Sequence, residues 1–252
     1  MRELKICNFR DVSGYKNKYG ETMKPNKIFR GASLDAISLD DAKYMEDQLG
    51  IRYILDYRDE QEAMLAKDID FPNAQYERIS ALTIKEHTDN GFDFGKMLEG
   101  KMTPDKLKFL IQYIREGYQT MAFDNPAYHR LFELLLRDEG HIYFHCSAGK
   151  DRTGVSAFLI VITLGMSEED AIDEYMLSNE YLHDFVEDFY KQHHIPKIFR
   201  KYCDPLLLVE KENIMLTIQS IKERYTSYDE FLEKEYDLDE KKRELLRRIY
   251  CE

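Results

Sequence analysis

The residues best suited to chemistry lie in one short segment, His145 to Gly154, which reads His-Cys-Ser-Ala-Gly-Lys-Asp-Arg-Thr-Gly. Five residues separate Cys146 from Arg152, enough for a tight loop whose backbone N–H groups point inward. Gly149 allows a backbone conformation that a side chain would obstruct. Arg152 carries a planar fork of donors that can bind two oxygens of an oxyanion at once. The spacing therefore predicts a hole the size of a phosphate group.

The same loop would act on the thiol of Cys146. A helix beginning near Thr153 directs its positive end at the loop. A free cysteine thiol has a pKa of about 8.5, and a helix N-terminus with neighbouring cations lowers such values to about 3.5–7.5. We therefore expect Cys146 to be a thiolate at neutral pH that attacks phosphorus and forms a phosphocysteine, which water then hydrolyses. This chemistry requires no metal and no cofactor. The competing interpretation is a buried structural cysteine.

The elements around the loop must place it at the end of a strand. His141 to His145 is a short apolar run typical of a buried strand, and residues 153–164 are small and apolar before Gly165, as in a buried helix. Further strand-like runs are residues 28–30, 51–55 and, more weakly, 76–79. Helix-start signals lie at Ser38, Thr103-Pro104, Asn125-Pro126, Ser167, Asp204-Pro205 and Ser227.

These patterns predict an α/β fold, a small and mainly parallel sheet flanked by helices, with the loop at the C-terminal end of the strand 141–145. Beyond Gly165 the chain reads as wholly helical. No linker or repeat divides the sequence, so residues 1–252 are expected to form a single domain, of which about 167–252 is an all-helical extension.

Composition narrows the classes of function. The net charge of −12 argues against a nucleic-acid binder. No apolar run is long enough for a transmembrane segment, and the N-terminus lacks the apolar stretch of a signal peptide. A cytoplasmic location is expected, with export without a signal peptide left open. The four cysteines show neither paired nor zinc-like spacing, so no metal site is predicted. No pattern indicates an oligomeric state.

The segment from His145 to Gly154 resembles the H-C-x5-R-[ST] signature of the cysteine-dependent protein tyrosine phosphatase superfamily. It is most similar to the bacterial and fungal tyrosine phosphatases that also act on lipids. Residues 8–15, 29–33 and 54–58, together with Glu62, match the same subfamily. The resemblance covers about residues 6–180.

This resemblance implies a role for each residue of the loop. Cys146 would be the nucleophile and Arg152 the phosphate clamp. Thr153 would donate a hydrogen bond to the departing thiolate. His145 would orient the loop and tune the thiol, or would be a satisfied histidine at a strand end. The phosphate would be bound by Cys146, Ser147, Ala148, Gly149, Lys150, Asp151 and Arg152.

The general acid has two candidates. The chain has no tryptophan, so the Trp-Pro-Asp loop that carries this acid in many tyrosine phosphatases is absent. Asp151 lies five positions after the cysteine, as does the in-loop aspartate of the myotubularin-like phosphatases. Asp56, at the end of a predicted strand, is the alternative. Its competing interpretation is a structural carboxylate paired with Arg58 or Arg10.

The predicted substrate is phosphotyrosine in a protein, with phosphoserine or phosphothreonine as further substrates. Lys150 resembles a loop lysine of inositol-lipid phosphatases, so a phospholipid head group is an alternative substrate. A third hypothesis, from another class, is an inactive phosphate-binding or thiol redox-sensing module. Helices between residues 96 and 137 are a candidate lid over the site, with Gly91, Gly95 and Gly100 as hinges.

Overall fold

A five-stranded sheet of order β1-β2-β5-β3-β4 forms the centre of the computed structural model, which describes residues 4–82 and 103–252. The strands are β1 (Arg10–Asp11), β2 (Ile28–Gly31), β3 (Ile51–Asp56), β4 (Gln75–Arg78) and β5 (His141–His145). Four of them run parallel, and the short β1 pairs antiparallel with β2. The predicted α/β class with a mainly parallel sheet is confirmed.

Helices flank the sheet and make up the C-terminal region, as predicted. In the described residues they are α1 (Leu39–Asp47), α2 (Glu60–Leu65), α3 (Pro104–Thr120), α4 (Pro126–Arg137), α5 (Asp151–Thr163), α6 (Glu168–Met176), α7 (Ser178–Tyr181), α8 (His183–Gln192), α9 (Lys197–Leu207), α10 (Lys211–Arg224), α11 (Tyr228–Tyr236) and α12 (Glu240–Tyr250). The predicted N-caps are confirmed at Ser38, Thr103, Asn125, Ser167 and Ser227, because each side chain accepts a backbone N–H of its helix.

One predicted helix start is wrong. Asp204 and Pro205 lie near the end of α9, whose first residue is Lys197. The carboxylate of Asp204 accepts the hydroxyl of Tyr190 at 2.5 Å instead of capping free N–H groups. The Asp-Pro pattern alone fits both the start of a helix and a position within its last turns. Here the second is found, with Asp204 bonded to Tyr190 of the preceding helix.

The carboxyl ends of the three central strands meet at one edge of the sheet. Gly31 and Asp56, at the ends of β2 and β3, both lie opposite His145 in the strand register. The loop that follows β5 therefore begins between two neighbouring strand ends, where open α/β sheets bind their ligands.

Two apolar layers hold this edge in place. On one face α5 is buried over nearly its whole length among side chains of α4, α6, α10 and α11. On the other face α1 packs with Phe29, Ile54 and Tyr143 of the strands. Burial of apolar surface stabilises a fold by about 25 cal/mol per Å². Both layers bury such surface, so they hold the strand and the helix that flank the loop in place.

Three predictions concern larger regions. Among the described residues no helix combines the length and the apolar character needed to cross a membrane. Gly91, Gly95 and Gly100 lie outside the described residues, so the lid over the site stays a prediction. The single-domain organisation of residues 1–252 also stays a prediction.

Candidate active site

The loop between β5 and α5 has its carbonyl groups bound on the outside. Each backbone oxygen from Cys146 to Gly149 accepts a hydrogen bond from a group behind the loop. The donors are His145 Nδ1 to the Cys146 oxygen (3.2 Å), the Ser33 N–H to the Ser147 oxygen (3.2 Å), Asn8 Nδ2 to the Ala148 and Gly149 oxygens (3.2 and 2.8 Å), and Arg30 Nη2 to the Gly149 oxygen (2.7 Å). The first of these places the imidazole proton on Nδ1.

This arrangement decides where the N–H groups point. The described residues contain no cis peptide bond, and a trans peptide carries its N–H opposite its carbonyl. The N–H groups of residues 147–150 therefore point away from the donors behind the loop, into its concave side. The first N–H groups of α5 are also free of helical partners. Together they form a cradle for an oxyanion.

Gly149 permits the tight path of the loop. Its φ of +64° lies in the left-handed region, and a Cβ there would stand 2.1 Å from the carbonyl oxygen of Gly31. The sequence pattern predicted a special backbone at this position, and the close approach of the β2 end explains why no side chain fits.

The thiol of Cys146 lies at the floor of a cavity of about 670 Å³. The residue is only 2% exposed, so a reacting group must enter the cavity to meet the sulfur. Lys150, Asp151 and Arg152 also line it, and the remaining walls are largely apolar. The apolar and aromatic wall residues include Ile37, Leu65, Leu82, Tyr113, Ile114, Met121, Phe185, Phe189, Leu206 and Leu207.

Arg152 is held in the site by Glu62. Its Nη1 and Nη2 lie 2.5 and 2.7 Å from the two carboxylate oxygens, and Ser147 Oγ donates to the same carboxylate at 2.7 Å. Burial opposes the charge on Arg152, but the Glu62 and Cys146 charges outweigh it and hold the guanidinium pKa well above its usual range. Burial also opposes the charge on Glu62, but the positive charge and hydrogen bonds of Arg152 outweigh it, so the pKa of Glu62 lies below its usual value. Both groups are therefore ionised at neutral pH.

Asp151 has donors on both sides. The hydroxyl of Tyr118 donates to Oδ1 at 2.7 Å, and Lys150 Nζ lies 2.8 Å from Oδ2. Tyr118 is fully buried, and its hydroxyl also contacts that of Tyr175 at 2.7 Å. The carboxylate is thus fixed at the wall of the cavity that Cys146 and Arg152 also line.

Asp56 lies elsewhere. It is completely buried, absent from the cavity wall, and bound to Arg58 Nη2 at 2.8 Å and to the Tyr76 hydroxyl at 2.6 Å. Although burial acts to raise it, the pKa of Asp56 is lowered by Arg58 and by the nearby His145. The structure therefore places Asp56 in the pairing with Arg58 that was its competing interpretation, and Asp151 at the wall of the cavity that contains Cys146.

His145 belongs to this buried cluster. Its Nε2 lies 3.1 Å from Oδ2 of Asp68, and that oxygen is 2.8 Å from Arg58 Nη2. Asp56, Asp68 and His145 have the spacing of a metal-binding group, but the guanidinium of Arg58 already contacts both carboxylates. The Nδ1 of His145 contacts the Cys146 carbonyl oxygen at the start of the loop, and its role in orienting the loop and tuning the thiol stays a prediction.

Thr153 lies in the first turn of α5 and is fully buried. Among the described residues its hydroxyl has no hydrogen-bond partner. Buried hydroxyl groups are rarely left without a hydrogen-bond partner. The hydroxyl of Thr153 can therefore donate a hydrogen bond to a group that forms during a reaction.

Two residues of the site escaped the sequence analysis. Glu62 lies in a segment that matches the family, but its role was not predicted. The spacing Asp59-x-x-Glu62 forms a capping box at the start of α2. This cap fixes the position of the Glu62 carboxylate that contacts Arg152. Tyr118 gave no signal, because its contact with Asp151 joins residues 33 positions apart.

A thiol below a cradle of amide groups, at the floor of a cavity and beside an arginine, defines a cysteine-based phosphatase site. Comparison with known proteins agrees. The model of the tyrosine phosphatase family matches residues 3–252, and the chain belongs to that family.

Individual relatives are distant. The chain is 30% identical over 141 residues to a tyrosine-protein phosphatase of Nostoc commune, a match covering 53% of this chain and 42% of that protein, so less than half of the relative's length. It is 24% identical to the triple specificity protein phosphatase PtpB of Mycobacterium tuberculosis, with 92% of each chain covered. The core catalytic domain of the PP-IP phosphatase SIW14 from S. cerevisiae, solved with citrate, is 15% identical with a TM-score of 0.35, covering 75% of this chain and 94% of that one.

Proposed function

We propose that this protein hydrolyses phosphate monoesters through a phosphocysteine on Cys146, with phosphotyrosine in proteins as its preferred substrate. One observation carries the proposal: the buried thiol lies at the floor of the cavity, below a loop whose carbonyls from residue 146 to 149 are all bound outward. The N–H groups on the inner side are then free for the equatorial oxygens of a phosphoryl group. Membership of the tyrosine phosphatase family supports this chemistry.

In the first step the Sγ–P bond forms while the ester P–O bond breaks. Arg152 and the loop amides bind the three phosphoryl oxygens. A guanidinium has five N–H donors; two of them meet Glu62, and the long contacts to the Tyr57 carbonyl (3.4 Å) and Ser147 Oγ (3.5 Å) can be exchanged for phosphate. Asp151 donates a proton to the leaving oxygen.

In the second step water attacks phosphorus, the P–S bond breaks and its electron pair returns to sulfur. Asp151, now ionised, takes the proton from that water. The unpartnered hydroxyl of Thr153 donates a hydrogen bond to the departing thiolate. The products are inorganic phosphate and the starting thiolate.

The cavity supports an aromatic phosphate as substrate. The Cys146 side chain is buried, and the cavity that it lines is also bordered by Tyr113, Ile114 and Met121 of the α3 region and by Leu82 beyond β4, which offer apolar contacts to a ring. A phosphoserine side chain is shorter and gains fewer of these contacts. The name of the relative PtpB, a triple specificity protein phosphatase, supports turnover of other phosphoesters as well.

A panel of substrates tests the proposal. We expect wild-type protein to release phosphate from a phosphotyrosine peptide faster than from the matched phosphoserine peptide or a soluble phosphoinositide. Cys146→Ser should release none while still binding vanadate or phosphate. Phosphate release by Cys146→Ser would refute the mechanism, and faster turnover of the phosphoinositide would assign the lipid head group as the substrate. Binding of phosphate without turnover by the wild type would favour a phosphate-binding module.

A further inference from the structure

A buried cluster of charges lies directly behind the loop. Arg30 is fully buried at the end of β2, and its Nη1 lies 2.5 Å from Oε2 of Glu174 on α6. Arg10 contacts the other carboxylate oxygen of Glu174 through Nε at 2.9 Å. Arg10 also donates to Ser178 Oγ and to Oδ1 of Asn8. Among the described residues these two guanidinium groups share one carboxylate, so Arg10, Arg30 and Glu174 together carry one net positive charge.

Both side chains that hold the middle of the loop belong to this cluster. Arg30 donates through Nη2 to the Gly149 carbonyl at 2.7 Å, and Asn8 donates to the Ala148 and Gly149 carbonyls. Since Arg10 fixes the amide of Asn8 at 2.5 Å, the orientation of two loop peptides depends on this set of ion pairs.

Arg30 is also near enough to the thiol for their charges to interact. Burial lowers the pKa of Arg30 to about 10, with Arg10 acting in the same direction, while Glu174 and a negative charge on Cys146 raise it. At neutral pH Arg30 is therefore a cation. Other groups whose ionisation is influenced by a charge on Cys146 include Arg152, Tyr57, Tyr128 and Tyr143. Lys150, Asp151 and His145 lie beside them on the loop and its flanks. Burial keeps all three tyrosines neutral, since it raises the pKa of each one.

We propose that the cluster of Arg10, Arg30 and Glu174 has two tasks: Arg30 positions the loop through the Gly149 carbonyl, and the excess positive charge stabilises the Cys146 thiolate from behind. These are positioning residues, which do not touch the substrate. The proposal rests on the proposed function only for its kinetic part, because ionisation of a thiol can be measured without any phosphatase activity.

The experiment measures the rate at which neutral iodoacetamide alkylates Cys146 as a function of pH, with the site identified by mass spectrometry. The remaining thiols interfere little, because burial raises the pKa of Cys7 and of Cys251 to about 11 and also raises that of Cys203. Only the thiolate reacts, so the midpoint of the pH profile reports the ionisation of Cys146.

The variants separate charge from position. Arg30→Gln leaves the pair of Arg10 with Glu174 intact, removes one positive charge and should raise the midpoint by about one pH unit. Glu174→Gln removes the negative charge and should lower the midpoint. The double variant has the net charge of the wild-type cluster, so its midpoint should return close to the wild-type value. Its kcat/KM for p-nitrophenyl phosphate should stay about tenfold or more below wild type, because the anchor on Gly149 is lost.

A matched control is Arg243→Gln, which removes another buried arginine that donates to a backbone carbonyl, that of Leu238. It should leave the alkylation midpoint unchanged. An unchanged midpoint in Arg30→Gln, or shifts of the same sign in the two single variants, would overturn the charge-setting role. A double variant with wild-type kcat/KM would overturn the positioning role. If the wild type alkylates as expected but turns over no phosphoester, the proposed function fails while the cluster's effect on the thiol stands.

Discussion

Replacing Gly149 with alanine tests the packing of the loop against β2. An alanine at a φ of +64° carries the ordinary penalty of the left-handed region, about 1–2 kcal/mol. In addition its Cβ would stand 2.1 Å from the Gly31 carbonyl oxygen, where ordinary contact begins near 3.4 Å. Neither atom belongs to a flexible side chain, so the loop must shift by about 1 Å. Crowding of this kind in a packed interior adds about 1–3 kcal/mol.

The chain offers a control for the backbone penalty alone. Gly14 has a φ of +84°, and an added Cβ would meet nothing within 4 Å. Gly14→Ala should therefore lose only about 1–2 kcal/mol of unfolding free energy, whereas Gly149→Ala should lose about 2–5 kcal/mol. Urea denaturation of both variants gives the two values.

Activity should separate the two variants more sharply. A displacement of about 1 Å in a group that positions a reacting atom reduces turnover by about 100-fold. We expect a loss of this size in kcat/KM for p-nitrophenyl phosphate in Gly149→Ala and less than a threefold change in Gly14→Ala. Equal stability and equal activity in the two variants would refute the close approach of the loop to Gly31.

Three further predictions concern the side chains around the sulfur. Asp151→Asn should slow turnover of phenyl phosphate far more than that of an ester with a strongly acidic leaving group, and an equal loss on both esters would argue against a general acid. Tyr118→Phe removes one of the two contacts that fix the Asp151 carboxyl group at the cavity wall, so kcat for phenyl phosphate should fall about tenfold, while Tyr236→Phe, which loses a bond to a backbone carbonyl, should not change it. Burial acts to raise the pKa of Glu62, but pairing with Arg152 lowers it below its usual value. Ionised Glu62 therefore stabilises the folded protein fully above the unfolded pKa of about 4.3, and this stabilisation is lost as pH falls through the lower pKa of the folded state. The stability gap between wild type and Glu62→Gln should therefore shrink between pH 7 and pH 3 in urea titrations, and a gap that is constant with pH would contradict this.

The nucleophile loop was predictable from sequence because its parts are local. Cys146, Gly149 and Arg152 lie within one short segment, and the strand before it and the helix after it have distinct patterns. The helix caps were predictable for the same reason, since a cap involves residues two or three apart.

What the sequence could not supply are the contacts that join distant segments. The guanidinium of Arg152 meets a carboxylate 90 positions earlier, and Arg30 meets the Gly149 carbonyl 119 positions later. Matching segments pointed to Glu62 and Arg30, yet their partners depend on the strand order of the sheet. The same limit left two candidates for the general acid; in the structure Asp151 lines the cavity, whereas Asp56 pairs with Arg58 away from it.

The decisive quantity is the covalent state of Cys146 during turnover. Wild-type protein mixed with p-nitrophenyl phosphate and quenched in acid within milliseconds should carry phosphate on the peptide that contains Cys146, and the Cys146→Ser protein should carry none. Phosphate found on another residue, or steady release of product with an unmodified sulfur at every quench time, would contradict the mechanism.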